Sequence, residues 1–77
     1  MDKISKEERI FLISLGERIH SRRKELGITQ EELADKIGIN KHHFRRIEKG
    51  QSPTSLITYR RISKKLKISL VDIIKDI

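Results

Sequence analysis

Apolar residues recur along this chain at the three- and four-residue spacing of amphipathic helices, and no segment alternates with the period of two typical of strands. The first helical stretch opens at Ser5, with Glu8 three positions later as a capping box, and Gly27 is expected to end it. Its apolar positions are Phe11, Leu12, Leu15, Ile19 and Leu26. Gly16 lies inside this stretch and leaves two interpretations open, one long helix or an arm helix followed by a break.

Two shorter helices follow, each with its own start signal. Thr29 and Glu32 form a second capping box, and Gly38 is expected to end that helix with a positive φ angle. Asn40 is a good N-cap for a third helix over Lys41–Lys49. Two short helices separated by a glycine-containing turn, here over 29–49, are typical of a helix-turn-helix.

The remaining chain predicts two further helices and completes an all-α fold. After a loop over 51–54, a fourth helix is expected from Ser55 to Lys67, and Ser69 caps a last one over Leu70–Ile77. The apolar residues assigned to the buried face of the fourth helix are Leu56, Tyr59, Ile62 and Leu66. We therefore predict a single five-helix domain over 1–77, with 1–13 as an amino-terminal arm or an extension of helix one.

Charge is distributed unevenly along the chain, whose 77 residues allow one thin core. The net charge is +7, and nine basic residues lie between Lys41 and Lys67, where Glu48 is the only acid. The rest of the chain is almost neutral, so a polyanion such as nucleic acid would be attracted to one half of the molecule.

Several function classes have little support in the sequence. No apolar run approaches the roughly 18 residues of a membrane span, and the first residues are too charged for a secretory signal, so we expect a cytoplasmic protein. Cysteine is absent, and the adjacent His42 and His43 point about 100° apart on a helix, which is poor geometry for one metal. There is no glycine-rich phosphate loop or cysteine nucleophile, so we expect no cofactor, no metal and no enzymatic activity.

The segment TQEELADKIGI at 29–39, followed by IEKG at 47–50, resembles the Cro-like (XRE-type) helix-turn-helix family of phage repressors and small bacterial regulators. The resemblance extends from about Leu15 to Ile74, and about a dozen residues precede what the minimal domain of that family needs. It implies a lambda-repressor-like five-helix fold that acts as a dimer on a palindromic double-stranded DNA operator.

The resemblance also implies roles for individual residues. The base-reading positions correspond to Lys41, His42, Arg45 and Arg46. Gln30 matches a glutamine that contacts a backbone phosphate, and Arg23 with Glu48 matches a buried ion pair between helices one and three. Further phosphate contacts are expected at Thr29, His43, Lys49, Gln51, Ser52 and Thr54.

The last helix has more apolar residues than one small core absorbs, which predicts a dimer interface. The predicted interface residues are Leu70, Ile73, Ile74 and Ile77. Some of these must seal the domain, so only part of the set is available to a partner, and the region of Phe11 and Leu12 is the alternative surface.

The leading functional hypothesis is a sequence-specific transcriptional regulator, either a repressor or an autoregulatory controller. A protein-interaction module, such as an antitoxin or adaptor with secondary DNA binding, is the alternative. RNA binding is a third hypothesis, but it usually requires exposed aromatic side chains, and this chain has only two Phe and one Tyr.

Overall fold

The computed structural model describes residues 3–77, and over that range it has five α-helices and no strand. The helices are α1 (Lys6–Glu25), α2 (Gln30–Ile37), α3 (Lys41–Glu48), α4 (Leu56–Lys65) and α5 (Leu70–Ile74). The prediction of an all-α, five-helix fold is confirmed. Residues 1 and 2 of the predicted arm over 1–13 lie outside the described range. None of the helices in residues 3–77 is long and apolar enough to cross a membrane.

α1 is one continuous helix, so the predicted alternative of a break at Gly16 is wrong. The capping box forms as predicted, with the Glu8 amide donating to Ser5 Oγ at 3.1 Å and the Ser5 amide donating to Glu8 Oε1 at 2.8 Å. A Cβ atom on Gly16 would press against the carbonyl oxygen of Glu48 and lie 2.7 Å from that of Ile47. Gly16 therefore permits α1 to cross α3 with their backbones in contact.

The turn between α2 and α3 has the predicted local chemistry. The Glu32 amide donates to Thr29 Oγ1 at 3.0 Å, and Gly38 ends α2 with a φ angle of 76°. The His42 amide donates to Asn40 Oδ1 at 2.7 Å, which fixes the start of α3. α3 ends at Glu48, one residue before the predicted boundary.

The core lies where all five helices meet. Its buried hydrophobic members are Leu15, Ile19, Leu33, Ala34, Ile37, Phe44, Ile47, Ile62, Leu66 and Ile73. Leu56 was predicted to be buried and is instead 70% exposed, because it is the first residue of α4 and projects away from the bundle. The inward position two residues later is occupied by Thr58, whose hydroxyl lies 3.0 Å from Ser55 Oγ.

α5 is shorter than the predicted helix, and this changes the predicted dimer interface. The helix ends at Ile74, after which Lys75 is extended and Asp76 has a φ angle of 61°. Ile73 is only 1% exposed because it packs into the core, so its assignment to a dimer interface is wrong. Ile77 lies beyond the helix and does not continue one helical face with Ile74.

Candidate nucleic-acid interface

The apolar and the basic side chains of α3 lie on opposite sides of the helix. Phe44 and Ile47 are 0% and 2% exposed and anchor the helix on the core. The solvent-facing side carries the exposed residues His42, Arg45 and Arg46, with Lys41 half-buried at the helix start. We call these four residues the basic face of α3. The sequence-predicted base-reading residues therefore come together on one side of one helix.

The basic face differs from residue to residue in how its charges are paired. Lys41 Nζ lies 3.7 Å from a carboxylate oxygen of Glu31 in an exposed pair. Arg45 and Arg46 form no ion pair with any residue in the part of the chain that the structure describes. An unpaired, exposed guanidinium presents a planar set of donors that matches the O6 and N7 acceptors of guanine.

Behind α3, the predicted pair of Arg23 and Glu48 joins α1 to the end of α3. Arg23 Nε lies 2.7 Å from Glu48 Oε2, and Arg23 Nη2 lies 3.1 Å from Oε1. Each residue is only 6% exposed. Arg23 Nη1 also donates to the carbonyl oxygen of Ile28 at 2.7 Å, so the guanidinium uses both edges. This two-point geometry fixes the orientation of both side chains.

Glu48 also connects the ion pair to the start of α2. Gln30 Nε2 donates to Glu48 Oε1 at 2.9 Å, and His20 Nδ1 lies 3.0 Å from the same oxygen. Burial alone would raise the pKa of Glu48, but hydrogen bonds from Arg23, Gln30 and His20 and the charge of Arg23 hold it below its ordinary value. Glu48 therefore stays ionised, and it orients the side-chain amide of Gln30. The second N–H group of that amide donates to no other residue within 3–77.

The other predicted phosphate-contacting residues lie around the two helix starts and the loop after α3. Lys49 and Gln51 are exposed, whereas Ser52 is half-buried. His43 Nε2 lies 3.1 Å from Thr54 Oγ1, so these two side chains contact each other. Thr29 is exposed beside the first amides of α2, although its hydroxyl oxygen already accepts the capping hydrogen bond. These side chains lie in three separate segments, at 29–30, at 43 and at 49–54.

Two residues at this site were missed by the sequence analysis. His20 contacts Glu48, and Arg9 Nη1 donates to the carbonyl oxygens of Gly50 at 2.7 Å and Gln51 at 2.9 Å. Both contacts join residues that are distant in sequence. No local sequence signal pairs Arg9 with Gly50 and Gln51 or His20 with Glu48, so these contacts can be identified only from the fold. Among residues 3–77, no group of three or more metal-ligating side chains is placed to hold an ion.

Comparison with known proteins gives matches over the same part of the chain. A family model described as helix-turn-helix matches residues 19–73. An uncharacterized HTH-type transcriptional regulator of Methanothermobacter thermautotrophicus is 46% identical over 48 residues, which are 62% of this chain and 70% of that protein.

Three solved structures are similar to the fold. The restriction-modification controller protein C.AhdI from Aeromonas hydrophila has a TM-score of 0.77 at 27% identity, covering 80% of this chain and 94% of its own. The clp gene regulator ClgR from Corynebacterium glutamicum has a TM-score of 0.79 at 24% identity, covering 82% and 67%. The competence regulator ComR from Streptococcus vestibularis has a TM-score of 0.78 at 31% identity, covering 86% of this chain and 22% of its own.

Proposed function

Because this chain belongs to the helix-turn-helix family, we propose that it is a DNA-binding transcriptional regulator that reads the major groove with the basic face of α3. The observation that carries this proposal is the face itself, where Arg45 and Arg46 are exposed and form no ion pair within residues 3–77, while Phe44 and Ile47 anchor the opposite side. An α-helix fits the major groove, which is about 12 Å wide. The predicted family resemblance is confirmed.

The proposal divides the site into reading and positioning residues. Base edges are read by Lys41, His42, Arg45 and Arg46. Phosphates are contacted by Thr29, Gln30, His43, Lys49, Gln51, Ser52 and Thr54. The bond from Gln30 to Glu48 supports this division, because it holds the amide beside the start of α2, where the positive end of the helix dipole favours an anion. Phosphate contacts set the register of the protein on DNA, and only base contacts select a sequence.

We further propose that the working form is a homodimer on a palindromic operator. One α3 reads only a few base pairs, which is too little to select a site in a genome. Two copies would place their recognition helices about 34–36 Å apart along one side of the DNA. Within the predicted interface set, Ile74 is 42% exposed, Ile77 is 40% exposed and Leu70 is half-buried. Val71, at 66% exposed, adds apolar surface to this end of the molecule.

The direction of regulation belongs to the proposal as well. We propose a repressor or an autoregulatory controller, and the fold shared with the restriction-modification controller protein C.AhdI supports that choice.

Binding of labelled duplex DNA, measured by fluorescence anisotropy at several salt concentrations, tests the proposed partner. Each phosphate neutralised by a cationic side chain contributes about −0.9 to the slope of log K against log[salt]. We expect a slope steeper than about −2, because several cations lie on and beside the basic face of α3. A single-stranded RNA of the same sequence is the control. A flat salt dependence, or tighter binding of the RNA, would contradict the proposal.

A further inference from the structure

The amino-terminal half of α1 packs against the end of α3, although it lies outside the part of the chain that matches the family. The family model matches residues 19–73, whereas α1 begins at Lys6. Gly16 contacts the last carbonyl groups of α3, and a Cβ atom on Gly50 would lie 2.6 Å from the backbone nitrogen of Ile13. Two glycines, one in α1 and one just after α3, thus allow the two backbones to approach closely at the end of α3.

Arg9 adds a polar connection at the same place. Its Nη1 donates to the carbonyl oxygens of Gly50, at 2.7 Å, and Gln51, at 2.9 Å. These carbonyl groups follow the last turn of α3, where the helix dipole favours a cation. A single guanidinium nitrogen therefore holds two consecutive peptide groups at the start of the loop over 51–54, which we call the α3–α4 loop.

The α3–α4 loop borders a cavity at its middle and is also held at its far end. Pro53 lines a cavity of about 300 Å³ together with Ile4, Phe11 and Leu12 from the amino-terminal segment. Thr54 contacts His43 at 3.1 Å, and its amide donates to the Tyr59 hydroxyl at 3.4 Å. At its start, the loop depends on Arg9 and on the hydrogen bond from the Gln51 amide to the Arg46 carbonyl oxygen at 2.9 Å.

We propose that Arg9 is a positioning residue for DNA binding, which holds the α3–α4 loop so that Gln51, Ser52 and Thr54 meet the phosphate backbone. The inference rests on the proposed function, because it assigns the loop to phosphates. Arg9 acts through main-chain carbonyl groups and does not itself contact DNA. Since phosphates carry no sequence information, its contribution is to affinity for every duplex and not to base preference.

Arg22 offers a matched control on the same helix. Its Nε donates to the carbonyl oxygen of Leu66 at 2.9 Å, and its Nη2 donates to that of Lys67 at 3.3 Å. These are two consecutive carbonyl groups just beyond the end of α4. Arg22→Met thus removes the same charge and the same kind of contact as Arg9→Met, but away from the α3–α4 loop.

The first measurement is duplex affinity of the full chain at several salt concentrations. Arg9→Met is expected to lose about two- to tenfold in affinity for selected and random duplexes alike, the range that one ordinary hydrogen bond provides. Its salt slope should stay that of the wild type, because the positioned residues Gln51, Ser52 and Thr54 are uncharged. Arg22→Met should keep the wild-type affinity and slope. Arg9→Lys keeps the charge without the planar fork and should recover only part of the loss.

The second measurement needs no DNA. Amide hydrogen exchange at Gln51 should become faster in Arg9→Met and stay unchanged in Arg22→Met. Equal losses of affinity in the two variants, or wild-type affinity and exchange in Arg9→Met, would overturn the inference alone. A wild-type protein that fails to bind duplex DNA would overturn the proposed function and, with it, the role of Arg9 in DNA binding.

Discussion

Replacing Glu48 with alanine should destabilise the fold severely, because it leaves a buried cation without its partner. Arg23 and Glu48 are each 6% exposed. Without the carboxylate, Arg23 Nε and Nη2 lose bonds of 2.7 and 3.1 Å, and Gln30 loses its acceptor. Arg23 keeps its contact to the Ile28 carbonyl oxygen, which limits but does not remove the cost.

The expected loss is a large part of the total stability. Removing one partner of a buried ion pair costs about 3–5 kcal/mol. A domain of 77 residues has a free energy of unfolding of about 4–12 kcal/mol, at about 0.05–0.15 kcal/mol per residue. Because the contact of Arg23 with Ile28 remains, we expect about 3 kcal/mol for Glu48→Ala. At about 4–8 °C per kcal/mol for a domain of this size, Tm should fall by about 12–24 °C.

Urea and thermal unfolding followed by circular dichroism measure this change, and two further variants serve as comparisons. Arg23→Met combined with Glu48→Leu should regain much of the loss, since apolar residues of similar volume replace a buried pair at little cost. Glu31→Ala breaks the exposed pair with Lys41 and should cost at most about 1 kcal/mol. If Glu48→Ala unfolds at the same temperature and urea concentration as Glu31→Ala, the reasoning from burial is refuted.

Two other predictions concern pH and assembly. The pKa of Glu48 lies below the ordinary value of 4.5. The stabilising contribution of the ionised carboxylate is therefore complete above pH 4.5 and is lost as the pH falls through the lowered pKa. Below about pH 4.5, the free energy of unfolding of Glu48→Gln should vary less with pH than that of the wild type. An equal acid dependence in both proteins would contradict this. In sedimentation experiments, serine at both Ile74 and Ile77 should give a folded monomer with weaker operator binding, whereas serine at the exposed Leu56 should change neither. A wild-type protein that stays monomeric at high micromolar concentration and binds one half-site would refute the proposed dimer.

The sequence predicts those parts of the fold that local chemistry determines. Ser5, Thr29 and Asn40 cap their helices as expected, because each side chain bonds to an amide only two or three residues away. Gly38 adopts the predicted positive φ angle for the equally local reason that the chain reverses there.

Long-range contacts account for what the sequence did not determine. The two interpretations of Gly16 could not be separated, because its role depends on the Glu48 carbonyl group of another helix. Ile73 and Ile74 have the same apolar side chain, and only the way α5 packs makes the first buried and the second exposed. Arg9 looks like any surface arginine until the fold brings Gly50 beside it.

The central claim, that α3 reads bases in duplex DNA, is tested most directly by selection from a randomised duplex library with the wild type, Arg46→Ala and Gln30→Ala. The wild type should enrich a defined motif. Arg46→Ala should lose about 1–3 kcal/mol of discrimination and relax one or two positions of that motif. Gln30→Ala should bind all sequences more weakly while keeping the motif, since the role proposed for Gln30 is a phosphate contact. A wild type that enriches no motif, or an Arg46→Ala variant that enriches the unchanged one, would contradict the assignment of the reading face.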